Sequence, residues 1–250
     1  MNVLGLDTST AATATCLLRG DGRPFEVVPD PTALFERPGH ARELMPALVR
    51  VVEEAGLTFA DLDAVAVGRG PGTFTGLRIG IATARAIAAA RSLPVHGVSS
   101  LAALATGTDA RSTLAVIDAR RGEVFAALYA GTEERWPPSV VSPDALAAHV
   151  RAGAGAGAAD HPPAPRPRVP GAGHPASDTL VAVGDGAVRF RAELGAAGAR
   201  VPAGDDPRHV VRALHVCRLA RRVPPAASEA ILPDYLRTPD AVPPSPTPSP

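Results

Sequence analysis

The sequence contains no lysine: all 25 basic residues are arginines, and 25 acidic residues cancel them to a net charge of zero. A chain without a cationic excess offers no broad surface to a phosphate backbone, which excludes strong non-specific nucleic-acid binding by this polypeptide alone. The two cysteines, Cys16 and Cys217, stand apart in apolar segments. They lack the spacing of a zinc site or a disulfide framework and are expected to be buried thiols in a reducing compartment. No apolar run approaches the ~18 residues needed to span a bilayer; the longest, residues 79–93, is broken by Arg85 and Arg91. The opening Met1-Asn2-Val3-Leu4-Gly5-Leu6-Asp7 has no cationic leader. A cytoplasmic protein with no membrane contact is expected.

What the chain does have is 46% hydrophobic residues over 250 positions, enough for a real core in one or two domains. It also has 24 glycines and 27 prolines, and 12 of the prolines fall in two places, residues 151–178 and 239–250. Neither stretch has apolar periodicity, so neither buries enough surface to offset its ordering entropy. The first reads as a flexible Pro/Gly/Ala-rich insertion inside a domain, and the second as a disordered Pro/Ser tail.

The remainder alternates between strand and helix patterns, which specifies an α/β protein. Apolar β-rich runs at 3–6 and 12–18 flank the polar turn Asp7-Thr8-Ser9-Thr10, and residues 23–28 add a third strand. A helix is predicted over 41–55, with Leu44, Leu48, Val51, Val52 and Ala55 on one face, Pro46 near its first turn and Gly56 as its stop. A short strand at 64–67 leads through Gly68-Arg69-Gly70-Pro71-Gly72 into a second helix over 75–91. The second half starts similarly. Strands at 113–117 and 124–129 surround Asp118, a third lies near Val140, and a helix follows with Ser142 as its cap and Pro143 at its first position. A strand at 180–183, the turn Gly184-Asp185-Gly186 and a helix over 207–222 complete the pattern, with Asp118 in the place of Asp7.

Two features suggest chemistry. Asp7, Thr8, Ser9 and Thr10 fit a nucleotide loop, in which hydroxyls and turn amides face phosphate and the carboxylate positions a metal; a local Ser/Thr turn reads the same way. The glycine loop lacks the Gly-Lys-Ser/Thr end of a P-loop but runs into a helix whose Gly76, Gly80, Ala84 and Ala88 recur every four residues. Such a stripe admits another helix at short range. The helix's other faces hold Leu77, Ile79, Ile81 and Ile87, and on the preceding helix Met45 and Val49 lie off the core stripe; this surplus apolar surface either fills a thick core or, with Leu44 and Leu48, makes contact with another chain. A bulky residue at Gly80 or Ala84 is then expected to block docking while leaving the monomer folded.

The run Gly70-Pro71-Gly72-Thr73-Phe74-Thr75-Gly76-Leu77-Arg78-Ile79-Gly80 resembles the signature of the bacterial TsaB (YeaZ) family. So do Leu6-Asp7-Thr8-Ser9-Thr10, His40 before Glu43-Leu44-Met45-Pro46, Ile117-Asp118-Ala119-Arg120-Arg121-Gly122-Glu123-Val124 and Pro233-Asp234-Tyr235-Leu236-Arg237. The resemblance implies an actin-like (ASKHA) fold of two ribonuclease-H-like lobes, the second abbreviated, here residues 1–105 and 106–238. It implies a cytoplasmic partner in making threonylcarbamoyladenosine, the modified adenosine beside the anticodon of tRNAs reading codons that begin with A. Its companions would be a TsaD-like catalytic paralogue and a TsaE-like ATPase. tRNA would be met only through the complex, ATP or ADP would sit at a subunit joint, and a homodimer would form when the partner is missing. The paralogue's catalytic metal is held by two histidines four residues apart. Ser100 and Leu104 stand at the matching positions, and a hydroxyl with a leucine cannot replace an imidazole pair. The expectation is a subunit with no metal and no catalytic residue of its own. The alternative is an independent ATPase or small-molecule kinase using Asp7, Thr8 and Thr10.

Overall fold

The computed structural model describes residues 1–155 and 179–237. Strands Val3–Asp7 (β1) and Ala14–Leu18 (β2) are buried along their whole length, as short apolar runs are when helices cover both faces of a sheet. With Pro24–Val27 (β3), Ala64–Gly68 (β4) and Val95–Val98 (β5) they form a sheet ordered β3-β2-β1-β4-β5. The first three strands pair antiparallel; β4 and β5 join in parallel, with Leu6 opposite Val67. Pro24, which has no N–H for a ladder, begins the edge strand.

Ser112–Arg120 (β6), Glu123–Ala130 (β7), Glu133–Val141 (β8) and Val181–Val183 (β9) form the second sheet, ordered β8-β7-β6-β9. It repeats the antiparallel triplet and one parallel strand of the first sheet, and among the described residues it has no counterpart of β5. Asp7 ends β1, and Asp118 lies near the end of β6. The protein is therefore mixed α/β with two related sheets.

Helices His40–Glu54 (α1) and Phe74–Arg91 (α2) cover the outer face of the first sheet, burying Leu44, Leu48, Val51, Ile81, Ala84 and Ala88 against Leu4, Leu6, Val65 and Val67. Full burial of one such leucine contributes about 2 kcal/mol. Ser100–Thr106 (α3) and Ala213–Ala220 (α7) fill the space between the sheets, where Leu101, Leu104 and Val216 meet Cys16, Ala66 and Ile117. Pro143–Gly155 (α4), Asp185–Arg189 (α5) and Arg191–Ala196 (α6) cover the far side of the second sheet through Leu146, Val150, Ala187 and Leu194. Cys16 and Cys217 are buried free thiols in the central layer.

Several elements depart from the sequence reading. Helix α1 starts at His40, which places Pro46 in its second turn; Pro46 and Arg42 are both exposed, so solvent can satisfy the carbonyl that Pro46 leaves unpaired. The last helix is shorter than predicted. Asp206 caps a separate 3-10 turn at Pro207–His209, and the buried Val210 and Val211 run extended before α7 begins. Ser142 caps α4 as expected, its Oγ accepting from Ala145 N at 3.2 Å. That helix continues to Gly155, so residues 151–155 of the stretch read as a flexible insertion are helical. The rest of that stretch and the tail 239–250 lie outside the described residues. No helix among the described residues is long and apolar enough to cross a membrane.

Candidate functional site

The Asp7–Thr10 turn is the polar centre of the first half, and it is closed. All four residues are 0–3% exposed. Asp7 Oδ1 accepts from Ser9 N at 2.8 Å and Ser9 Oγ at 2.6 Å, while Oδ2 accepts from Ser100 Oγ at 2.7 Å. Thr8 Oγ1 donates to Gly76 O at 2.7 Å, and Thr73 N donates to Ser9 O at 2.7 Å. Burial raises the Asp7 pKa above its usual 3.8, against the Ser100 and Ser9 hydroxyls. A nucleotide phosphate needs open amides and hydroxyls, whereas here the glycine loop and α2 lie directly on the turn. In this structure the side chains of Asp7, Thr8 and Ser9, read from the sequence with Thr10 as a nucleotide loop, are engaged in the chain's own contacts rather than turned to an open loop.

The same contacts overturn the predicted docking stripe. A Cβ at Gly76 would lie 2.1 Å from Thr8 O, and one at Gly80 would lie 2.3 Å from Thr8 Oγ1. Gly76, Gly80, Ala84 and Ala88 are small because α2 presses on the chain's own turn and sheet. Leu44, Leu48, Leu77 and Ile81 are likewise buried. Of the predicted interface only Met45, 47% exposed, faces outward, joined on α1 by Val49 at 37%. On α2 the outward positions are Phe74, Arg78, Ala82 and Ala86, with Ile79 half-buried beside them. Ile79 stands out in the sequence as surplus apolar surface, but Phe74, Arg78, Ala82 and Ala86 do not, because α2 is small or apolar on nearly every side and a four-residue stripe can be drawn along either face.

Ser100 opens α3 with its hydroxyl bonded to Asp7, and Leu104 is buried between the sheets. His96 bonds the Val223 carbonyl through Nδ1 at 2.8 Å, and His209 Nδ1 accepts from Gly184 N at 3.1 Å. Among the described residues no three His, Cys, Asp or Glu side chains are grouped to hold an ion.

A cleft of about 830 Å³ lies between the first turn of α2, the β6–β7 hairpin and the C-terminal segment 234–237. Asp118 anchors its floor, accepting from Arg120 N at 2.8 Å and Arg189 Nη1 at 2.7 Å. Arg120, Arg121 and Gly122 take φ of 64°, 54° and 78° in succession, a left-handed run that costs energy at the two arginines. At the mouth Phe74 stacks on Tyr235 with centroids 5.5 Å apart. Arg78 lies 3.9 Å over the Phe74 ring and donates to Tyr235 Oη at 3.2 Å. Arg237 reaches Ala119 O and the Glu123 carboxylate, so the C-terminal segment ties α2 to the hairpin.

Beneath Asp118, Asp185 accepts from Asp118 N at 3.0 Å and Gly186 N at 2.9 Å. Burial, with the Asp118 charge adding to it, pushes Asp185 up to about 6. A carboxyl raised from 3.8 favours folding while protonated; that contribution is complete below pH 3.8 and is lost as pH rises through about 6. His215 opposes it. Burial, helped by Arg212 and Arg218, pulls His215 down to about 4, so its contribution is present above pH 6.5 and is lost as pH falls through 4. Asp185→Asn keeps an oxygen acceptor for both amides and removes only the first slope. Its stability relative to the native chain should rise by about 2 kcal/mol between pH 4 and 7 in urea melts. A difference independent of pH would contradict a buried neutral carboxyl.

A family model described as "TsaD: tRNA N6-adenosine threonylcarbamoyltransferase" matches residues 34–153. The Escherichia coli "tRNA threonylcarbamoyladenosine biosynthesis protein TsaB" is 38% identical over 136 residues, 52% of this chain and 55% of that protein. An uncharacterised protein of Mycobacterium tuberculosis is 45% identical over 127 residues, 51% of this chain and 58% of its own length. The chain thus spans little more than half the length of these curated relatives. The solved structure of YeaZ from Pseudomonas aeruginosa superposes with a TM-score of 0.67 at 28% identity, covering 93% of this chain and all of that one.

Proposed function

We propose that this chain, similar to TsaB and YeaZ proteins, is a member of that family and a non-catalytic subunit that activates a TsaD-like enzyme. That enzyme would add the threonylcarbamoyl group to the adenosine next to the anticodon in tRNAs reading codons that begin with A. The two sheets are then the two ribonuclease-H-like lobes of an actin-like fold, the second with one strand fewer among the described residues. The observation that carries the reading is the pair Ser100 and Leu104. At the positions of the paralogue's metal-binding histidines stand a hydroxyl bonded to Asp7 and an alkyl group buried in the core.

A subunit without the reacting groups can act only by binding one conformation of its partner better than another. The surface available for that is the outward strip of α1 and α2, with Met45 and Val49 on the first helix and Ile79, Ala82 and Ala86 on the second. Both helices are fixed from behind by the first sheet, so the strip is a rigid template that needs little ordering on contact. With no net charge, the chain meets tRNA through the assembly. Any ATP or ADP lies at the joint with a TsaE-like ATPase rather than in the closed Asp7 turn. Alone, the same strip pairs two copies of the chain. Depleting the protein and measuring nucleosides of bulk tRNA by mass spectrometry tests the reading: threonylcarbamoyladenosine should fall severalfold, and an unchanged level would overturn the assignment.

A further inference from the structure

Around the N-terminus of α1 the hydrogen atoms do not balance at neutral charge. His40 Nε2 lies 3.0 Å from Thr10 O, a carbonyl that can only accept, so Nε2 must carry a proton. His40 Nδ1 lies 2.8 Å from Thr13 Oγ1, which also lies 3.0 Å from Glu43 Oε2. A neutral ring protonated at Nε2 leaves Nδ1 as an acceptor and takes the single hydroxyl proton of Thr13. The Thr13–Glu43 contact then has no proton between its oxygens. All three contacts are satisfied only with one more proton on the cluster than a neutral imidazole and a carboxylate bring.

We propose that His40, Thr13 and Glu43 form a one-proton latch between the β1–β2 turn and the first turn of α1, closed when the extra proton is bound and open at Glu43 when it leaves. The opening falls at Glu43 because that side chain is exposed, whereas His40 and Thr13 are buried. In the closed state the carboxylate folds back over Gly39, where a Cβ would stand 1.8 Å from Glu43 Oε1. Gly39 caps α1 without a side-chain hydrogen bond. Releasing Glu43 therefore frees the first turn of a helix that has no side-chain cap from its tie to Thr13. The extra proton resides on the ring, where Nδ1 faces the Thr13 hydroxyl at 2.8 Å.

Several charges surround the cluster. The β1–β2 turn presents Asp7 and α1 presents Glu43, Gly76 of α2 approaches the ring, and Asp30, Glu36 and Arg37 share a pocket with Thr13 and Glu43. Asp118, Arg120 and Arg121 line the same cleft from the second half. Burial pulls His40 below its usual 6.5, against the Thr10 carbonyl, Asp7 and Glu43, which hold it up. The latch therefore closes as pH falls below 6.5. Because α1 also carries Met45 and Val49, the latch sets how firmly the docking strip is held; that consequence rests on the proposed function, and the proton count does not.

The test uses the isolated full chain. Nitrogen-15 NMR of the His40 ring from pH 4 to 8 is followed together with amide exchange in the first turn of α1. In the native chain the ring should pass from doubly protonated to the Nε2–H form. First-turn protection, corrected for intrinsic exchange, should drop about tenfold over the same range, the effect of one charge-assisted hydrogen bond. Glu43→Gln supplies an amide proton to Thr13, so its protection should no longer change with pH. Thr13→Val leaves the Glu43 charge in place but should still lower the ring pKa, whereas attraction by the carboxylate alone would leave it unchanged. A ring that stays neutral down to pH 4, or the same ring pKa in Thr13→Val as in the native chain, would overturn the latch. PH-independent protection while the ring titrates would also overturn it. Glu43 is exposed, so Glu43→Gln decides the matter even if Thr13→Val fails to fold.

Discussion

Gly76→Leu should unfold the protein, lowering its stability by more than about 3 kcal/mol, well beyond an ordinary overpacking penalty. The new Cβ would stand 2.1 Å from the Thr8 carbonyl oxygen and 2.6 Å from Thr73 Oγ1. The first of these is backbone and cannot give way cheaply. The Thr8 backbone lies in the β1–β2 turn, and Thr8 Oγ1 is already bonded to Gly76 O. Gly80→Ala should cost less, about 1–3 kcal/mol, because only the Thr8 hydroxyl must move. Ala82→Leu on the exposed side of α2 should stay within about 0.5 kcal/mol of the native chain. Urea melts of the three variants separate an inward small-residue stripe from an outward one. A Gly76→Leu protein melting like the native chain would show that α2 does not press on the Asp7 turn.

The second large effect is on binding. Met45→Asp combined with Val49→Asp should weaken association with the TsaD-like enzyme by at least about 100-fold, roughly 2.7 kcal/mol, while leaving the thermal melt unchanged. Both side chains are exposed in the isolated chain, so the change does not disturb its core. At an apolar helix contact, however, each carboxylate would be buried without a partner. Calorimetric titration with the purified enzyme reads the loss directly, and undiminished affinity would move the docking surface off α1.

The two-sheet architecture was legible in the sequence because it depends on local signals. Short apolar runs bounded by Asp and Gly gave β1, β2, β4, β6 and β7, and Ser142 with Pro143 marked the start of α4. Elements without such signals were not seen. Strand β5 and helix α3 follow one another through Ser99, whose Oγ caps α3 by accepting from Ala102 N; a serine pair in a sequence full of small residues does not announce a cap. The short α5 and α6 meet at Phe190, with no side-chain cap to mark either helix.

The candidate site was harder, for a different reason. Periodicity identifies a helix face but not which neighbour covers it. Gly76, Gly80, Ala84 and Ala88 mark a close approach correctly, yet the approaching group is Thr8 from 68 residues earlier rather than a second chain. The polar turn Asp7–Thr10 posed the mirror problem. Its residue types suit a phosphate, and only the fold shows that Thr73, Gly76 and Ser100 already take up hydrogen bonds of the turn.

On the proposed function, the molecule works by shaping a partner rather than by reacting itself. The most direct measurement is the initial rate of threonylcarbamoyl transfer to tRNA by the purified, metal-loaded TsaD-like enzyme in the presence of its ATPase companion. The rate should rise severalfold when this chain is added and stay at the basal level when the Met45→Asp, Val49→Asp variant replaces it. This chain incubated with the same substrates but without the enzyme should form no product. Transfer by this chain alone, or full activation by the double variant, would contradict the account.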